Sequence, residues 1–323
     1  MLQKSGTPEA ISESAGRILQ AAWRPSTHSK YANNQRKWQD FCDSRKINPF
    51  QANIGQILDF LSYFFDLGHS YKTITGYTTT IKKFIALDSR DQILLKRFMK
   101  GVYNLSSAET TKKRHMAIWD ITIVLNHLKN MNINTTMTIS KKLATLYMIL
   151  EGTRVNSLFH LKITNMYLTD DECSFTFDQV IKHSRPGFNT QPLIFRAFPQ
   201  DIQLCPVYHT KLYLTYRLNV CSDLGFFATT IQPYHAASTA TISRWIKETL
   251  GEAGINTGKF TAHSCRSAST TAAEFLGIDI ITIRKAAGWS QENTFIRHYR
   301  KEIEFSENKN FGYSLLEKSQ IRT

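Results

Sequence analysis

Apolar residues at helical spacing dominate the first third of the chain. From Asn53 onward they recur at intervals of three and four residues up to a stop at Gly68: Ile54, Ile57, Leu58, Leu61, Phe64 and Phe65. Residues 71–87 and 91–100 repeat the pattern and carry lysine or arginine mostly on their other faces. The sequence therefore predicts an all-α bundle with basic outer faces, although such faces are also common as plain solvated surface.

The rest of the chain predicts a second domain. At 323 residues the protein is too long for one ordinary core, and the polar residues 105–114 have the composition of an interdomain joint. We therefore expect domains at residues 1–108 and 109–323. Helical periodicity returns at residues 118–129, 141–151, 205–220 and 238–253, and strand-like alternation occurs at 173–177 and 192–198. The expected fold is mainly α with a small β-sheet (α+β).

The charge balance favours a polyanionic partner. Lys and Arg number 40 against 26 Asp and Glu, which gives a net charge of +14 and a pI near 9.5. Because neutralised phosphates release counterions, such a surface binds nucleic acid well, and double-stranded DNA is the first expectation. A basic but unspecialised protein is the alternative.

Cysteine usage and hydropathy narrow the class of protein. The 5 cysteines include no Cys-x-x-Cys pair, so neither a zinc site nor a disulfide framework is expected. The longest apolar run, residues 57–67, is interrupted by polar residues and is too short for a membrane span, and the N-terminus lacks the apolar core of a signal peptide. We expect an intracellular, soluble protein without a metal; residues 112–115 are a weak nuclear-import signal.

The stretch from His263 to Tyr299 concentrates reactive side chains. His263 and Arg266 stand three positions apart at a predicted helix start, so both point from one face and can hold one phosphate. Trp289 follows Gly288 at the end of a short apolar helix, and Tyr299 lies beyond a polar turn among basic neighbours. A tyrosine in this setting is a candidate nucleophile.

Six residues taken in order resemble the catalytic set of the tyrosine recombinases, also called the phage-integrase family: Arg154, Lys182, His263, Arg266, Trp289 and Tyr299. The segments KHSRPG, STATISRWIKETLGEAGI, HSCRSASTTAA and AAGWSQENTFIRHY are similar to the recombinases of DIRS-type retrotransposons and related animal mobile elements. The N-terminal bundle resembles the SAM-like core-binding domain of that family. The resemblance covers nearly the entire chain.

The resemblance implies a site-specific recombinase or integrase. Such an enzyme cleaves DNA through a 3′-phosphotyrosyl intermediate and leaves a free 5′-hydroxyl, so the strand is rejoined without ATP, cofactor or metal. It implies a homotetramer on two recombining sites, located in the nucleus of a eukaryotic cell or otherwise in the cytoplasm.

The six residue types also suit this chemistry on physical grounds. Attack on a phosphodiester builds negative charge, and the guanidiniums of Arg154 and Arg266 are natural clamps for it. A phenol is a poor nucleophile until its proton is removed, which suggests His263 as base or hydrogen-bond donor. Lys182 is the candidate acid for the departing 5′-oxygen, and Trp289 can close the site and offer its indole N–H.

Each assignment has an ordinary structural alternative. Arg154 could be a surface arginine at a helix end, His263 a helix cap, and Trp289 pure core. Arg266 could pair with Glu274 or with another acid elsewhere, and Tyr313 rivals Tyr299 as the nucleophile.

Lys182 has Lys162 and Arg185 as neighbouring alternatives. Ser157 stands where many bacterial members of the family carry a glutamate, so a support for Arg154 is missing or replaced. Two other functions stay open: a catalytically silent, domesticated DNA-binding protein, and a type IB topoisomerase that relaxes DNA as a monomer.

Overall fold

The computed structural model describes residues 12–23, 25–109, 117–178, 191–289, 295–296 and 299–304. The chain divides into two compact units, residues 1–114 and 115–323. The described residues form twelve α-helices, a three-stranded sheet and a two-stranded pair. This confirms the mainly α fold with a small sheet that the sequence predicts.

The first unit is a bundle of amphipathic helices. Its core holds the fully buried side chains of Trp38, Phe60 and Ile74. The third helix starts where predicted, because the side chain of Asn53 accepts from the backbone N–H of Gln56 in a capping box. The helices are α1 (Glu13–Ala21), α2 (Pro25–Arg45), α3 (Ile54–Asp66), α4 (Tyr71–Ile81) and α5 (Ser89–Glu109).

Two helix boundaries in this unit differ from expectation. The chain leaves α4 at Lys82 rather than near residue 87, and this turn lets Phe84 and Ile85 enter the core. Helix α5 continues to Glu109, so the first half of the predicted joint is helical. Residues 105–109 contain neither glycine nor proline, and a polar composition alone does not end a helix.

The second unit is built around one central helix. Helix α7 is buried along nearly its whole length and packs against α9, α10 and α11. It begins earlier than predicted, because Thr135 and Thr138 form a capping box at its start. The helices are α6 (Ile121–Asn130), α7 (Thr136–Leu150), α8 (Val155–Phe159), α9 (Pro206–Arg217), α10 (Thr239–Glu252), α11 (Ser264–Phe275) and α12 (Ile280–Ala286).

A small antiparallel sheet covers one side of α7. Its strands lie in the order β2 (Met166–Leu168), β3 (Glu172–Phe175) and β4 (Leu193–Arg196), with Ser174 opposite both Tyr167 and Ile194. Alternate residues face the core, where the ring of Phe195 stacks on Tyr147 of α7 at a centroid distance of 3.8 Å. Strands β3 and β4 match the predicted alternation, whereas β2 was not predicted.

A second strand pair joins distant parts of this unit. Strand β1 (Ala117–Trp119) runs parallel to β5 (Glu302–Glu304), with Ile118 opposite Ile303. Three-residue strands are too short to show periodicity, so neither was predicted. The pairing fixes the chain directly after Tyr299.

Candidate active site

The start of α11 is anchored to the unit core. The indole N–H of Trp119 donates to the hydroxyl of Ser264 at 2.9 Å, and that hydroxyl donates to the carbonyl of Thr261 at 2.7 Å. His263 occupies the N-cap position, yet its side chain makes no capping hydrogen bond. The exposed imidazole is therefore held beside the helix start and points elsewhere.

Arg266, on the first turn of α11, is fully buried. Its Nη1 donates to the carbonyl of Gly152 at 2.6 Å, and its Nη2 donates to the carbonyl of Ala287 at 2.5 Å. Its Nε is buried without a hydrogen-bond partner among the described residues. The guanidinium thus joins the ends of α7 and α12 and keeps one N–H available.

Arg154 brings a second guanidinium to the same place. It lies at the N-terminal boundary of α8, two residues beyond Gly152, and is half-buried. Burial, followed by the positive charge of Arg154, lowers the pKa of Arg266 to about 10. Burial also lowers the pKa of Arg154. Two cations held this close favour an anion between them.

Tyr299 completes the cluster. Its hydroxyl lies 3.3 Å from Nε2 of His263, and its ring centroid lies 5.2 Å from the guanidinium carbon of Arg266. Hydrogen bonding and charge interaction with Tyr299 raise the pKa of both Arg154 and Arg266, against the larger effect of burial. The phenol therefore contacts the imidazole and interacts electrostatically with both arginines.

The position of Tyr299 is fixed by contacts within the same chain. Its carbonyl accepts from the hydroxyl of Thr271 at 2.8 Å, and its N–H donates to the carbonyl of Phe295 at 2.8 Å. The neighbouring Arg300 pairs with Glu274 of α11 at 3.1 Å. Glu274 is therefore the partner of Arg300, and the alternative pairing with Arg266 is wrong.

Trp289 closes one side of the cluster and is only 6% exposed. Its ring stacks on Phe295 and lies 4.6 Å, centroid to centroid, from Tyr299. The guanidinium carbon of Arg266 lies 4.6 Å from the ring centroid, a cation–π contact. The indole N–H is buried without a hydrogen-bond partner in the described part of the chain. Trp289 thus belongs to a local core and offers a donor.

Lys182 lies outside the described residues, as do Arg185 and Tyr313. Lys162, the alternative to Lys182, donates to the carboxylate of Asp178 at 2.8 Å. That ion pair occupies the Lys162 ammonium group. Lys182 therefore remains a prediction, and Lys162 is the weaker candidate.

Several residues that support the site were not predicted from the sequence. The carbonyls of Gly152 and Ala287, the hydroxyl of Thr271 and the Glu274–Arg300 pair position the site through contacts between distant segments. The one available signal was the hydroxyl-rich sequence of α11, whose Thr271 lies on a buried face. Ser157, which replaces the expected glutamate, is buried at 5% exposure.

The arrangement suits a tetrahedral anion held against a tyrosine hydroxyl. Two guanidiniums and two buried N–H groups supply positive charge and donors, and the imidazole contacts the phenol. The described residues contain no group of three or more His, Cys, Asp or Glu arranged to hold a metal ion. Within the described chain, no helix combines the length and hydropathy that crossing a bilayer requires.

Among known proteins, similarity to this chain is found only with solved structures. No protein-family model matches the chain, and no curated protein matches it in sequence. The XerH site-specific recombinase bound to its difH substrate, in a pre-cleavage complex, aligns with a TM-score of 0.56 at 16% identity, over 91% of this chain and 79% of that chain. Its post-cleavage complex on palindromic difH gives 0.55 at 14% identity, over 82% and 74%.

A lambda integrase (75–356) dimer bound to a COC′ core site aligns with a TM-score of 0.50 at 15% identity, over 92% of this chain and 96% of that chain. The chain has the tyrosine-recombinase fold. The similarity spans both units, and the clustered arginines, histidine, tryptophan and tyrosine lie within that fold.

Proposed function

We propose that this protein is a site-specific DNA recombinase or integrase that cuts and rejoins strands through Tyr299. One observation carries the proposal: the hydroxyl of Tyr299 lies 3.3 Å from His263 and interacts with both Arg154 and Arg266. A candidate nucleophile, a proton acceptor and two candidate phosphate ligands thus lie in one cluster.

In the proposed reaction, the Tyr299 oxygen attacks the scissile phosphorus and its proton passes to His263. The P–O bond to the 5′-oxygen breaks, and that oxygen takes the electron pair and a proton, for which Lys182 is the proposed donor. The products are a 3′-phosphotyrosyl bond and a 5′-hydroxyl. Attack by the 5′-hydroxyl of another strand on the phosphotyrosyl bond reverses these steps. The energy of the phosphodiester bond is therefore retained, and the reaction requires no cofactor or metal.

The arginines and Trp289 act on the charge that develops during attack. Arg154 and Arg266 hold the non-bridging oxygens, and the full burial of Arg266 strengthens its contact because little water screens it. The unpartnered N–H groups of Arg266 and Trp289 are further donors to the same phosphate.

The fold and the net charge of +14 support a proposal for the larger assembly. The N-terminal bundle and the catalytic unit would close round double-stranded DNA, with residues 1–108 and 109–323 as the two halves of the clamp. Lambda integrase has been solved as a tetramer bound to a Holliday junction, with a TM-score of 0.50 to this chain. A homotetramer on two sites is the corresponding proposal here, together with an origin in a DIRS-like mobile element and action in the nucleus.

The direct test is capture of covalent protein–DNA adducts. Wild type and Tyr299→Phe are expressed in cells, adducts are isolated under denaturing conditions, and the attached DNA ends are sequenced. Adducts in the wild type alone, at a shared sequence, support the proposal. DNA binding without adducts in either protein would leave a silent DNA-binding protein, and relaxation of a supercoiled plasmid by the monomer would favour a topoisomerase.

A further inference from the structure

Trp119 lies between the two segments that carry His263 and Tyr299. It is the last residue of β1, and its backbone lies opposite Glu304 in the parallel pair with β5, the strand that begins three residues after Tyr299. Its side chain reaches the start of α11, where the indole N–H donates to the hydroxyl of Ser264 at 2.9 Å. Ser264 directly follows His263 in the chain. One residue thus connects both segments.

The bond from Trp119 secures the first turn of α11. The indole is only 3% exposed, so water competes little for its N–H. The Ser264 hydroxyl accepts from the indole and donates to the carbonyl of Thr261 at 2.7 Å, and the backbone N–H of Ser264 donates to the same carbonyl at 2.8 Å. Because His263 lies between Thr261 and Ser264 in the chain, these bonds fix the backbone that carries the imidazole.

The contact between the tyrosine and the imidazole needs such support. At 3.3 Å, the distance from the Tyr299 hydroxyl to Nε2 of His263 is longer than most hydrogen bonds that a hydroxyl makes. The imidazole is exposed, the tyrosine side chain is half-buried, and the two residues lie 36 positions apart in the sequence. A long contact of this kind does not fix the separation of two distant segments, so their backbones must be anchored to each other.

We propose that Trp119 is a positioning residue that sets the separation between the Tyr299 hydroxyl and the His263 imidazole. The inference rests on the proposed function, because this separation affects a reaction only if the tyrosine passes its proton to the histidine. The indole N–H holds the imidazole side through Ser264, and the backbone pairing with β5 holds the tyrosine side. Trp119 acts through these neighbours and takes no part in proton transfer.

The test compares two variants with a matched control. Trp119→Phe keeps an aromatic ring in the core and removes the indole N–H. Ser264→Ala removes the acceptor and leaves the tryptophan in place. The control is Trp245→Phe: Trp245 is 1% exposed in the same core, and its indole N–H has no hydrogen-bond partner among the described residues. The control therefore reproduces the change in ring size without the loss of a hydrogen bond.

The first measurement is the rate of adduct formation per folded molecule at saturating DNA, on the sequence recovered from wild-type adducts. The dissociation constant of the same duplex is measured separately. Trp119→Phe and Ser264→Ala should each slow adduct formation about tenfold and leave the dissociation constant within about twofold of wild type, because positioning affects the chemical step and not DNA binding.

The double variant should also be about tenfold slower, and not about a hundredfold, since both substitutions remove the same hydrogen bond. Trp245→Phe should keep the wild-type rate. Wild-type rates in Trp119→Phe and Ser264→Ala, or an equal loss of rate in the control, would overturn the inference.

Histidine nitrogen resonances of the DNA-free protein separate this inference from the proposed function. Tyr299→Phe removes the hydroxyl and should shift the Nε2 resonance of His263. The same substitution should cause less than about half of that shift in the Trp119→Phe background and the full shift in the Trp245→Phe background. If the wild type forms no adducts while this difference is observed, the recombinase proposal fails and the contact set by Trp119 stands. Adducts in the wild type with equal shifts in all three backgrounds would remove the positioning role alone.

Discussion

Two buried arginines in the second unit have different roles. Arg217 on α9 is 2% exposed and donates to the carbonyls of Cys221 and Gly225, each at 2.7 Å, and to that of Asp223. Arg266 on α11 is fully buried and donates to two carbonyls. By burial alone the two are alike.

Their partners distinguish them. The carbonyls around Arg217 belong to the loop that directly follows its own helix, so that arginine closes a local turn. Those around Arg266 come from Gly152 and Ala287, which are distant in sequence. Arg266 also faces a second guanidinium and a tyrosine ring. The site is recognised by contacts that join distant elements and by two positive charges held together. Burial of an arginine alone does not identify it.

Substitution of Arg266 should have the largest effect on activity. Arg266→Lys keeps the charge but cannot reach both carbonyls and the phosphate, so adduct formation should fall by about 10²- to 10³-fold. Adduct yield per folded molecule is the measurement, with circular dichroism to confirm folding. A yield within about threefold of wild type would place Arg266 with Arg217 as a purely structural residue.

Arg217 should affect stability and leave the chemistry intact. Arg217→Met removes the donors of three carbonyls, two of them bonded at 2.7 Å, and should cost about 3–5 kcal/mol in the free energy of unfolding. Urea denaturation gives that value. At a temperature where the variant is folded, adduct yield per molecule should match the wild type; a selective loss of adducts would break the distinction between the two arginines.

Glu151, the residue before Gly152, tests how a buried carboxyl affects stability. Burial raises the pKa of Glu151 from 4.5 to about 7, and the N–H of Ile194 opposes that effect. The folded state therefore holds the proton more tightly than the unfolded state, and stability falls as the pH rises from about 4.5 through 7. Glu151→Gln removes this titration.

The stability gained by Glu151→Gln over wild type should therefore be larger at pH 8 than at pH 5 by about 2–3 kcal/mol, since one pKa unit corresponds to about 1.4 kcal/mol. Urea unfolding of both proteins at both pH values measures the difference. Parallel pH profiles would show that Glu151 ionises as an ordinary exposed carboxyl.

Gly152 should give the smallest effect. Its φ of +51° suits glycine, and an added Cβ would lie 3.2 Å from the Cγ2 of Thr270. Gly152→Ala should cost about 1–2 kcal/mol and reduce adducts several-fold by displacing the carbonyl that holds Arg266. The control is Gly101→Ala, where nothing lies within 4 Å and helix α5 should gain about 0.5–1 kcal/mol. Equal changes in unfolding free energy in both variants would contradict this account.

The sequence was informative where local pattern decides structure. Periodic apolar residues predicted helices such as α3, and residue types in a fixed order indicated a site around His263, Arg266 and Tyr299. The pairing of β1 with β5 and the bonds from Arg266 to Gly152 and Ala287 join segments far apart in the chain. No local periodicity encodes such contacts, which explains why the partners of the site residues had to come from the structure.

The central claim is that Tyr299 acts in the site of its own chain. Contacts within the chain, from Thr271, Glu274 and strand β1, hold Tyr299 beside its own His263. The decisive measurement mixes Tyr299→Phe with Arg154→Ala on the DNA sequence recovered from wild-type adducts. If each tyrosine serves its own chain, the mixture forms no more adduct than either variant alone. Adduct formation restored by mixing would show that a neighbouring chain donates the tyrosine, and would contradict the account.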